Sequence, residues 1–183
     1  GNAVDPFETL DKFGPDATRW YMISNSNPWD NLKFDVSGIE EVRRKFFGTL
    51  HNIYSFFSLY ANIDEFKNEE KIIDYKERCE LDRWIISELN TLVKEVNDAY
   101  ENYEPTKSAR LISKFVQDNL SNWYVRLSRR RFWKGEYNTD KIAAFQTLLE
   151  CLKTVSILSS PISPFFMDNL FQDLTMNNES VHL

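Results

Sequence analysis

Apolar residues recur at spacings of three and four over long stretches of this chain, and that repeat commits it to helices before any motif is considered. Val42, Phe46, Leu50, Ile53, Phe57 and Tyr60 mark one stripe. Leu81, Ile85, Leu89, Leu92, Val96 and Tyr100 mark a second, which Trp84 extends. Ile142, Phe145, Leu149, Leu152 and Val155 mark another, and Phe165, Phe166, Leu170, Phe171 and Leu174 a shorter one. Only 5 Gly and 6 Pro punctuate 183 residues, which favours long regular elements over many-turned sheets.

The breaks set the organisation. Residues 1–27 read as a short helical lead-in: Asp5-Pro6 starts a helix, Gly14-Pro15 ends it, and Asp16 leads into a second. Too few apolar residues lie there for an independent core, so the lead-in must pack on something else. Residues 28–38 read as irregular, with Ser37 the N-cap of a helix from Ile39. A third long helix spans about Thr106 to Lys134, and Asn138 or Thr139 caps the fourth. Connections are short except for 62–79. The fold class is therefore all-α, an antiparallel up-and-down bundle of about five main helices over residues 28–175. Residues 176–183 read as the start of a following segment, and the apolar ending Val181-His182-Leu183 suggests a cut inside a longer protein.

The third helix ends in the most unusual stretch. From Asn119 to Gly135 it carries Arg126, Arg129, Arg130, Arg131 and Lys134 and no acid, in a chain of net charge -6. A local cationic excess inside an acidic protein is the footprint of a docking face for a polyanion. Arg126, Arg130 and Lys134, four apart, form one stripe, bordered by Trp123 and Leu127. In a uniform α-helix Ile112, Val116 and Leu120 project in nearly the same direction as Trp123 and Leu127. One face then begins as core and turns basic. The competing reading is plain: arginines late in a helix cap it and pair with acids on neighbouring helices. Tryptophan beside arginine is more often packed core than a stacking platform. Arg43, Arg44 and Lys45 have a similar choice between polyanion contact and simple solubility.

Other chemistry is thin. No Gly-rich phosphate loop follows a strand, and no nucleophile elbow or Cys/His pairing stands out. His51, between Leu50 and Asn52, reads as a core-edge packing residue. Cys79 and Cys151 fall within predicted helices without partners at metal spacing, so a structural zinc site is not expected and reduced thiols are. No signal peptide or apolar run of membrane length is evident, and the expected setting is cytoplasmic, away from membranes. No catalytic residue and no cofactor is assigned to this stretch.

The same residues carry a family likeness. Leu120 to Trp133, with its Arg-Arg-Arg-Phe-Trp ending, resembles the signature helix in the anticodon-binding domain of isoleucyl-tRNA synthetases. Glu80 to Leu89 resembles a helix start shared with the valyl and leucyl enzymes. Val42 to Leu50 and Tyr54 to Asp64 look isoleucyl, and Leu158 to Phe166 is similar to the Pro-interrupted segment that closes the bundle. Gly1 to Phe7 and Gly14 to Trp20 resemble the segment directly after the mobile signature loop of class I synthetases. The likeness covers essentially the whole chain.

The resemblance implies a module that positions a tRNA for isoleucine. An upstream catalytic domain of the same parent chain would perform ATP-dependent ligation, and the fragment alone would be inactive. It implies RNA contacts from Arg126, Arg129, Arg130, Arg131 and Lys134 to phosphates. Trp123, Trp133 and Trp29 are the stacking candidates, with Arg43 and Arg44 as further contacts. Two alternatives stand: a helical scaffold without RNA contact, and the equivalent domain of a valyl or leucyl enzyme.

Overall fold

The computed structural model describes residues 4–68 and 70–183, and all regular structure among them is helical. Gly1, Asn2 and Ala3, which open the lead-in likeness, lie outside the described residues. The lead-in forms α1 (Pro6–Phe13) and α2 (Pro15–Asn25). The first long rod joins α3 (Val36–Val42), a π-helical turn (Arg43–Phe47) and α4 (Gly48–Ile63). The second is α5 (Glu80–Glu101). The third joins α6 (Pro105–Lys114), a π-helical segment (Phe115–Val125) and α7 (Arg126–Trp133). Then come α8 (Thr139–Ser159) and α9 (Pro164–Thr175).

Neighbouring rods alternate in direction. Asn119 donates to Glu88 at 2.8 Å and Arg131 to Asp82 at 2.7 Å, so the third rod runs against α5. Arg131 also meets Asp140 while Tyr124 meets the Ala144 carbonyl, so α8 runs against the third rod. Phe166 packs on Phe47, and Tyr54 donates to Asp173 at 3.2 Å, which lays α9 along the first rod in the same sense. The bundle is thus up-and-down, with the ends of the first and third rods beside the starts of α5 and α8.

α8 is the central element. By length and apolarity it could cross a membrane, contrary to the sequence reading, but 67% of its apolar window is buried by other helices. A helix apolar on every side is what the middle of a globular bundle requires. Phe57, Phe66 and Phe132 pack on its Phe145.

The lead-in belongs to that same core. Trp20 is 1% exposed, stacks on Phe46 with ring centroids 4.0 Å apart, and donates its indole N–H to Ser113. Arg19 donates to the Ile162 and Pro161 carbonyls. One apolar cluster runs from Phe13 through Trp20 to Leu174, so among the described residues no packing break separates α1 and α2 from the bundle.

Helix starts differ from expectation in detail. α3 begins three residues before Ile39, because Asp35, not Ser37, supplies the capping oxygen, accepting from the Ser37 N–H. Tyr21 fixes that entry by accepting the Asp35 N–H at 2.9 Å, and its ring lies so close to Gly38 that no Cβ would fit there. Asn138 caps α8 through the Lys141 N–H. Cys79 is the residue before α5 rather than within it, and His51 is exposed on the outer side of α4.

Candidate nucleic-acid interface

The third rod does not turn uniformly, and that decides which side chains it presents. One line of buried positions runs through Ile112, Val116, Leu120, Tyr124, Ser128 and Phe132, four apart throughout, with Ala109, Phe115 and Val125 buried beside it. A uniform α-helix advances about 100° per residue, so such a line would drift by about 40° at each step. A π-helix closes its bonds at i→i+5 and turns by roughly 80° per residue, so the drift reverses. The Phe115–Val125 segment therefore keeps one straight inner line. The expected sharing of a face by Ile112, Trp123 and Leu127 is overturned: Trp123 is 61% and Leu127 56% exposed. The inner face stays apolar to its end instead of turning basic.

Two features dock α7. Phe132 is fully buried and meets Phe56 and Phe145 edge-on at 5.1 Å each. Beside it, Arg131 sets both arms of its guanidinium on Asp82, at 2.7 and 2.8 Å, and also donates to Asp140 at 2.8 and 2.9 Å. Asp82 has no solvent exposure and also accepts from the Tyr124 hydroxyl at 2.7 Å. Burial works against the Arg131 charge, but the hydrogen bonds to Asp82 and Asp140 prevail and hold its pKa above the ordinary arginine value. Burial, reinforced by the neighbouring Asp82, pushes the Tyr124 phenol well above its usual range.

Arg131 is thereby withdrawn from the candidate RNA contacts, since its charge and most of its donors face carboxylates within the fold. The same ion pairs engage the Asp82 and Asp140 oxygens, which with the Cys79 sulfur lie within 4.8 Å of one another. The sequence signal for this network was Asp82 itself, a charge at the head of the α5 core stripe, where it demands a buried partner.

The other cations of the run face outward. Arg126, Arg129, Arg130 and Lys134 are exposed and make no ion pair among the described residues. Trp133 stands among them, 58% exposed, and Trp123 lies three residues before Arg126. Both are surface platforms rather than the packed core that tryptophan frequency favours. Trp29 is likewise 70% exposed, but in the loop after α2, near the start of α6. Arg43 and Arg44 are exposed at the start of the first rod, where Arg43 meets the Lys12 carbonyl and the Phe13 ring. The fold thus places Trp29, Arg43 and Arg44 at the opposite end of the bundle from Lys134. A hollow of about 830 Å³ between α4 and α9 is lined by a single cation, Lys67, and a single acid, Asp173, and offers no comparable field.

Comparison with known proteins bears on the family and the fold of the chain. The family model described as the anticodon-binding domain of tRNA ligase matches residues 82–183. An isoleucine–tRNA ligase of Porphyromonas gingivalis is 64% identical over all 183 residues, which span 16% of that protein. Those of Cytophaga hutchinsonii and Clostridium tetani are 63% and 44% identical, again across the whole chain, which covers 17% and 18% of them. The chain therefore spans about a sixth of the length of these relatives. Among solved structures, LeuRS of Agrobacterium radiobacter K84, in a ternary complex with tRNA and LeuAMS, superposes with a TM-score of 0.69. That match covers 99% of this chain and 21% of the other at 19% identity, a likeness of fold.

Proposed function

This chain belongs to the anticodon-binding domain family of tRNA ligases, and from that premise we propose that it seats the anticodon arm of a tRNA on the outer face of α7, as a module of an isoleucine–tRNA ligase. The observation that carries the reading is the division of labour within one basic run. Arg131 anchors the helix, while Arg126, Arg129, Arg130 and Lys134 stay unpaired among the described residues. Cations held on a rigid element neutralise phosphate oxygens with little ordering cost and fix the register of the RNA. Trp123 and Trp133 beside them supply faces for unstacked loop bases. Isoleucine as the amino acid rests on the names of the similar ligases. ATP-dependent ligation and a cytoplasmic setting are part of the same proposal for the longer protein.

Filter binding of a tRNA transcript for isoleucine across a salt series tests this. Charge reversal in the Arg129→Glu/Arg130→Glu variant is expected to weaken binding at least tenfold and to lower the salt slope by about one to two. Unchanged affinity would remove α7 from the interface. Footprinting separates the scaffold alternative, which leaves the anticodon arm unprotected. Competition by tRNAs for valine and leucine separates the amino-acid alternatives.

A further inference from the structure

The π-helical segment that straightens the inner line of the third rod also straightens the outer one. Arg110, Lys114, Asp118, Asn122, Arg126, Arg130 and Lys134 are four apart, and every one is exposed. In a uniform α-helix the six steps from Arg110 to Lys134 would carry the line about 240° round the rod. With Phe115–Val125 turning more slowly, the drift largely cancels, and the cations of α6 and α7 share one face over roughly 30 Å. The α6 end of this stripe is concave. A hollow of about 270 Å³ is lined by Asn27, Thr106, Lys107, Arg110, Leu111 and Lys114.

The charge at that end is available. Lys114 has no ion-pair partner among the described residues. Arg110 donates to the Ser24 and Asn25 carbonyls at the C-terminal end of α2, at 2.8 and 3.0 Å, bonds that position it without pairing it to a carboxylate among the described residues. Among the described residues Lys107 pairs with Glu104 alone, at 3.4 Å and in solvent, a weak pairing. Trp29 stands exposed two residues beyond Asn27.

We propose that the outer stripe of the third rod is a single phosphate-binding track, on which Lys107, Arg110 and Lys114 hold the RNA backbone at a second point remote from the end of α7. This rests on the RNA-binding reading of α7 and names where the rest of the RNA lies. Asp118 is the one acid on the line, and it marks the gap between the two contact points.

The test uses the 183-residue chain, a tRNA transcript for isoleucine and filter binding from about 50 to 200 mM salt. The Lys107→Glu/Lys114→Glu variant is expected to bind roughly tenfold more weakly, with the salt slope lowered by about one to two. Lys107→Gln/Lys114→Gln shows the same direction at smaller size and guards against a folding defect, which circular dichroism melting reads directly. Asp118→Asn is expected to tighten binding about two- to threefold, because it removes a repulsive charge from beneath the backbone. Wild-type affinity and slope in both lysine variants, or no tightening in Asp118→Asn, overturns the track. If Arg129→Glu/Arg130→Glu is still impaired in that case, the reading of α7 survives. Failure of the unsubstituted chain to bind the transcript removes both.

Discussion

At Asp82 a carboxylate with no solvent exposure is held by both arms of Arg131 and by the Tyr124 hydroxyl. Breaking a buried pair from one side is costly because the remaining charge loses its compensation. Arg131→Met is therefore expected to destabilise the fold by about 3–5 kcal/mol, read as a lower urea midpoint. Arg130→Met, one residue away and solvated, should shift it by less than about 0.5 kcal/mol. Tyr100 gives a pH signature. Its hydroxyl donates to the Leu158 carbonyl at 2.9 Å, and burial pushes its pKa to about 12. The folded state thus keeps a proton that the unfolded chain releases near pH 10. Stability is complete below that pH and falls between about 10 and 12, with a slope approaching 1.4 kcal/mol per pH unit for this group. Tyr100→Phe should flatten that slope, which urea unfolding across the window measures.

The π-helical segment of the third rod is the element on which presentation of the basic run depends. Removing one residue from it tests this directly. Asn122 is exposed, so Asn122→Ala should leave stability unchanged. Deleting Asn122 instead advances every later residue by one place. Val125, Arg129 and Trp133 would then fall where Tyr124, Ser128 and Phe132 now pack, and the Asp82 network would lose both partners. The deletion is expected to lower the melting temperature sharply and abolish tRNA binding. A deletion variant that melts like the parent would mean the register of α7 is set elsewhere.

For the molecule as a whole, the decisive join is Trp20 against Phe46 and Ser113, which makes the lead-in and the first and third rods one unit. Trp20→Ala should cost about 3–5 kcal/mol and lower a single unfolding transition rather than split it in two. Far-ultraviolet circular dichroism and tryptophan fluorescence, recorded together, check this, since separate midpoints would indicate an independently folded lead-in. The molecule is acidic, with net charge -6, yet gathers along one rod cations that are unpaired among the described residues. Such a distribution orients a polyanion during encounter and makes association fall steeply with salt.

The five rods, their order and their alternating directions were legible in the chain itself, because apolar spacing and short connections are local properties. The concentration of charge at the end of the third rod was equally plain. What local pattern did not contain was the rotation of that rod. A spacing of four fits either helix type, and packing of Tyr124 and Phe132 against α5, α4 and α8 selected the slower turn. Nor could composition separate Arg131 from its neighbours in a run of three identical side chains. Only the arrival of Asp82 and Asp140 from two other helices gives one arginine a buried partner and leaves the others to solvent. Charge and period belong to the chain, whereas the face a side chain occupies and the partner it meets are fixed by which distant segments pack against it.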